Sequence, residues 1–190
     1  MNTALRCTTT AWLAAMAMVP FGALAQDKST TEASRVITLD IDGDGEMDRA
    51  VLIQDATSGA ADLYIYLAVG VGKLDILKKP DFLKPKITTA RILQLESNSD
   101  GALVIASGCG GCSNDFATKL SIVFRERDFL VGAVVYDWDT RNGRGSCEIN
   151  YLTGKATVSH GGGKAKPIRG RFTPIKLADW SDQKRPKGCR

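Results

Sequence analysis

The chain has 190 residues, a formal net charge of +4, 44% hydrophobic residues and one histidine, His160. That length suits one domain with its own core, and no stretch interleaves basic with aromatic residues as a nucleic-acid surface would. With one histidine, a Ser-His-Asp or Cys-His arrangement has a single candidate base and a histidine-rich zinc site has none.

Met1 to Arg6 carries one positive charge, Ala11 to Leu24 is apolar, and Ala23-Leu24-Ala25 places small residues at −3 and −1. This is the order of a secretory signal peptide, so residues 1–25 are expected to be cleaved before Gln26. The apolar stretch is shorter than the roughly 20 residues that span a bilayer, and no later segment qualifies. Cys7 stands too early for a lipid-modified cysteine and leaves with the signal. A periplasmic or secreted location, with no transmembrane segment after cleavage, follows as the expectation.

The mature part, Gln26 to Arg190, is one domain with a net charge of about +3. Residues 26–34 read as a disordered start, 35–177 as a β domain and 178–190 as a basic C-terminal tail. Basic residues crowd at Lys78 to Lys86, Lys164 to Arg171 and Lys184 to Arg190; solvated loops explain them, and an acidic partner is the sharper alternative.

Asp40-Ile41-Asp42-Gly43-Asp44-Gly45-Glu46-Met47-Asp48 carries the clearest chemistry. Carboxylates at loop positions 1, 3, 5 and 9 offer hard oxygen ligands, the Glu46 carbonyl at position 7 adds another, and Gly45 permits the sharp turn. Four carboxylates packed this closely repel one another unless a cation sits among them. Ca2+ suits the donor number better than Mg2+. A helix-loop-helix site needs a glutamate at position 12, where Val51 stands, and the flanks 35–39 and 50–53 are strand-like. The expected element is therefore a calcium loop between two strands, with Asp48 replacing the glutamate; an ion-free acidic turn is the plainer reading.

The segment Arg35 to Gly45 matches Arg91 to Gly101 at an offset of 56 positions. Ala50 to Ile53 matches Ala102 to Ile105, Leu63 to Leu67 falls near Leu120 to Phe124, and Lys73 to Ile76 pairs with Asp128 to Val131. Two copies of one β unit, at about 35–89 and 91–145, are expected. The second loop, Glu96-Ser97-Asn98-Ser99-Asp100-Gly101, has apolar Val104 at position 9 and reads as a polar turn. Short runs rich in Val, Ile, Leu, Tyr and Phe between Gly, Asp, Asn and Ser clusters predict an all-β chain. Further strand-turn-strand units are expected at 124–129 and 151–158, a final strand within 168–177, a flexible glycine-rich loop at 159–166, and a short helical turn at 81–84.

The pattern D-x-D-G-D-G-x-x-D followed by an apolar strand resembles the FG-GAP and VCBS type calcium-binding repeats of secreted and surface proteins. The resemblance covers Arg35 to Ile53 well and the second copy weakly. It implies blade-like antiparallel β units and the calcium ligands Asp40, Asp42, Asp44, Glu46 and Asp48. The mature length holds too few units for a closed propeller, so an incomplete or open, propeller-like meander is expected. The turn Tyr151-Leu152-Thr153-Gly154-Lys155 is similar to one in small bacterial envelope proteins, some of which resemble periplasmic lysozyme inhibitors or immunity proteins.

Cys109, Cys112, Cys147 and Cys189 remain after processing, an even number that reads as two disulfides in an oxidising compartment. Three pairings are open; Cys109–Cys112 with Cys147–Cys189 is favoured because the second bond would tie down the tail. C-G-G-C also has the spacing of a thiol–disulfide oxidoreductase, which needs a helix after the first cysteine, and Ser113-Asn114-Asp115 gives little sign of one. Asp137, Asp139 and Glu148 are candidates for acid–base work if the fold brings them together, charged turns explain them equally well, and Trp138 and Trp180 read as core before interface. Two functions fit these features. The first is a non-enzymatic calcium-binding module with a protein partner in the envelope, such as an inhibitor of a cell-wall hydrolase. The second is an envelope oxidoreductase using the C-G-G-C motif.

Overall fold

The computed structural model describes residues 33–68, 79–112, 114–182 and 185–189. The expected signal peptide, most of the disordered start and the repeat match at 73–76 lie outside the described residues.

Four strands form the first sheet: β1 (Ala33–Leu39), β2 (Asp48–Gln54), β3 (Ala60–Tyr66) and β4 (Phe82–Thr89), in chain order and antiparallel. Alternation decides which face turns inward. On β2 and β3 the residues Ala50, Leu52, Ala61, Leu63 and Ile65 are buried, and Ala50 pairs with Ile65 and Leu52 with Leu63. Residues 81–84, expected as a helical turn, instead open β4, because Phe82 and Leu83 pair with Ile65 and Tyr64 along the sheet.

The second sheet runs β5 (Ile92–Ser97), β6 (Leu103–Cys109), β7 (Asp115–Arg125), β8 (Asp128–Thr140), β9 (Gly143–Asn150), β10 (Lys155–His160) and β11 (Lys166–Pro167). β12 (Ile175–Lys176) pairs with the first half of β8, on the stretch that β9 does not reach. Of the final strand expected within 168–177, only these last two residues before Leu177 pair. The glycine-rich loop begins after His160, which still belongs to β10.

Strand β8 switches phase midway. Ser121 faces Ala133 and Ile122 faces Val131, so Gly132 is an extra residue, and the bulge lets Phe129, Val131, Val134 and Tyr136 all reach the core. The β7–β8 turn is Glu126-Arg127, with φ of 54° and 63°.

The sheets are open rather than closed into a barrel, meet near β1 and β5, and share one core. Leu52, Leu63 and Ile65 from the first sheet join Leu103, Ile105, Ile122, Val134 and Ile149 from the second. Each such side chain contributes roughly 1.5–3 kcal/mol when removed from water. The fold is thus the expected open all-β meander.

Disulfides join Cys109 to Cys112 and Cys147 to Cys189. The C-terminal segment packs rather than trailing into solvent. Leu177, Trp180 and Cys189 are buried, Lys84 Nζ donates to the Ala178 carbonyl at 2.5 Å, and Arg185 stacks over Tyr136 at 4.7 Å. Asp182 accepts from the Thr88 hydroxyl at 3.1 Å, which joins this segment to β4.

Candidate metal site

The loop between β1 and β2 is built by its own carboxylates. Asp40 accepts the amides of Gly43 at 2.8 Å and Gly45 at 3.0 Å, curling the chain around the side chain. Gly43 and Gly45 have φ of 81° and 91°, a region closed to most side chains. Asp42 accepts from the Asp44 amide at 3.2 Å and Asp44 from the Glu46 amide at 2.8 Å. Asp48, the first residue of β2, points inward with none of its surface exposed and accepts from Ile41 at 2.8 Å and Ala68 at 2.7 Å.

One carboxylate oxygen from each of Asp40, Asp42 and Asp48 lies within 4.8 Å of the other two. Oxygens about 2.3–2.6 Å from a shared Ca2+ are at most about 5 Å apart, so the spacing fits one ion. The donors suit that role. Each amide bond above uses one lone pair and leaves acceptor capacity on the same carboxylate. Burial pushes the Asp42 pKa up; the Asp44 amide opposes this, and the charges of Asp48, Asp44 and Asp40 add to the rise. A cation among them relieves both effects.

Of the five residues expected as ligands, the structure brings together Asp40, Asp42 and Asp48. The side chains of Asp44 and Glu46 are not part of this close set. The second loop contains no comparable cluster among the described residues. Asn98 closes it by accepting the amides of Asp100 at 3.0 Å and Ala102 at 2.8 Å.

Other expected sites lie elsewhere in the fold. Cys109 ends β6 and is buried, and β7 rather than a helix follows the turn that holds Cys112. His160 is exposed at the end of β10, edge-on to Trp138 with ring centres 5.7 Å apart. Trp180 is core. Asp137 and Asp139 stand on β8 and Glu148 on β9, all on the face of the second sheet that turns away from the core.

That outer face holds a groove of about 650 Å3 that the sequence did not announce. Its floor is a row of residues paired across five strands: Gly108, Ala117, Asp137, Ser146 and Ser159. Such a row is invisible in one dimension, because its members are 9 to 20 positions apart.

Comparison with family models, with curated proteins and with solved structures returned no match.

Proposed function

We propose that this is an exported calcium-binding β protein acting as a non-enzymatic binding module of the cell envelope, with a cell-wall hydrolase as the partner to test first. The observation that carries the calcium assignment is the convergence of Asp40, Asp42 and Asp48 on a loop whose backbone amides already hold each carboxylate in place. The ion supplies positive charge where folding has gathered negative charge, and stiffens the turn that joins β1 to β2. Two disulfides support an oxidising compartment. The redox alternative lacks the helix that would stabilise a Cys109 thiolate.

The test has two arms. Isothermal titration and thermal melts with Ca2+, Mg2+ or chelator address the ion. A ligand present at about 100 times its Kd raises stability by about 2.7 kcal/mol, and an unchanged midpoint removes calcium from the reading. Turbidity of a cell-wall suspension treated with a lysozyme-type hydrolase addresses the partner. Dose-dependent protection supports inhibition, and unchanged clearing at a large molar excess removes that activity.

A further inference from the structure

We infer that the groove on the outer face of the second sheet binds a short, extended, lysine- or arginine-bearing peptide segment. The inference names a partner chemistry for the binding role proposed above and rests on that role, but it does not depend on the cation loop.

Shape comes first. Four of the five floor residues, Gly108, Ala117, Ser146 and Ser159, are small, and neighbouring strands lie about 4.8 Å apart, so the five-strand row makes a trough about 19 Å long. About six residues of extended chain match that length. Gly108 is fixed by packing, because a Cβ there would meet the Phe116 carbonyl oxygen at 2.7 Å. The floor therefore stays low where β6 and β7 approach. Ile92, half exposed at 50%, gives one wall an apolar contact.

Charge then selects the occupant. Glu96, Asp115, Asp137 and Asp139 line the groove against Lys119 and Arg144, so it is net negative in a chain whose formal charge is +4. Asp115 and Asp139 face each other directly across β7 and β8, a like-charge cross-strand pair that destabilises a sheet. One oxygen of Asp115 is also buried with no hydrogen-bond partner among the described residues. Arg144 stands opposite Asp139 on β9, and an ammonium or guanidinium group lying over the acidic side relieves the remaining repulsion. The small-residue floor leaves room for the backbone that carries it.

The experiment is fluorescence anisotropy of the purified protein with a labelled hexapeptide alternating Lys and Ala, against one alternating Glu and Ala. Saturable binding of the lysine peptide, weakened at least tenfold by Asp137→Asn with Asp139→Asn and by Ala117→Phe, is the expected result. Ala117 is exposed, so its variant fills the trough without entering the core, and a thermal melt confirms that each variant folds. Equal affinity for both peptides, or no saturable binding, overturns the inference. So does spermidine binding as tightly as the peptide with no loss in Ala117→Phe, since that marks a charge cluster without a shaped site. Peptide binding that persists in chelator separates this result from the fate of the calcium assignment. Hydrolase inhibition by the parent protein, with no saturable binding of the lysine peptide to that same protein, sinks the groove and leaves the binding role standing.

Discussion

The Asp48 carboxylate, fully buried at the head of β2, accepts the Ala68 amide at 2.7 Å from 20 positions further along the chain. Its other oxygen accepts from Ile41 at 2.8 Å, so one side chain fastens both the acidic loop and the segment leaving β3. Asp48→Ala leaves two amides without an acceptor, and a loss of roughly 2–5 kcal/mol is expected in chelator as well as in calcium. Asp44→Ala, at an exposed residue outside the close carboxylate set, should cost far less. Urea unfolding of both variants checks the order, and equal losses would show that Asp48 has no special structural role.

Asp42 gives a pH signature. A carboxylate whose pKa rises on folding holds its proton more tightly in the folded chain, so its ionisation opposes folding. The penalty is absent well below the ordinary 3.8, grows as pH rises through the raised folded value, and is complete above it. In chelator, Asp42→Asn should therefore melt higher than the parent at about pH 7, with the difference vanishing near about pH 3. In saturating calcium the order reverses, because the variant has lost a ligand charge. Melts over that pH range with and without calcium decide the matter.

The β7–β8 turn places two L residues, Glu126 and Arg127, at positive φ, where hairpins of this length prefer Asn-Gly. Glu126→Asn with Arg127→Gly should stabilise the fold by about 1 kcal/mol, or about 2–4 °C in midpoint. Peptide binding in the groove should not change, since neither residue lines it. A lower midpoint would mean that the present side chains make contacts worth more than the backbone strain.

The two disulfides should differ in weight. Cys147–Cys189 closes a separation of 42 residues and Cys109–Cys112 one of 3. The loop-closure estimate gives about 4 kcal/mol for the first and about 2 kcal/mol for the second. Cys147→Ala with Cys189→Ala should also free the C-terminal segment, detected as faster amide exchange around Trp180 than in Cys109→Ala with Cys112→Ala. Equal exchange in the two variants would show that packing alone holds the segment.

Local pattern explains why much of this fold was legible. Alternating apolar residues such as Ala50, Leu52, Leu63 and Ile65 announce a half-buried strand wherever they occur, and glycine with aspartate announces the loop after Leu39. Residues 81–84 misled because a few residues without clear alternation suit a turn or a strand equally. Only pairing with Tyr64 and Ile65 decides between them.

By itself the sequence determined the all-β class and the acidic loop with its glycines, because each depends on residues close together in the chain. Tertiary structure decided which carboxylates converge, since Asp48 must turn inward while Asp44 stays exposed. It decided that the C-terminal segment is packed, because Leu177 and Trp180 find apolar partners only once both sheets are in place. The groove depends on it most of all. Strand register sets Gly108, Ala117, Asp137, Ser146 and Ser159 side by side, and register arises from pairing along whole strands, which no local stretch of sequence encodes.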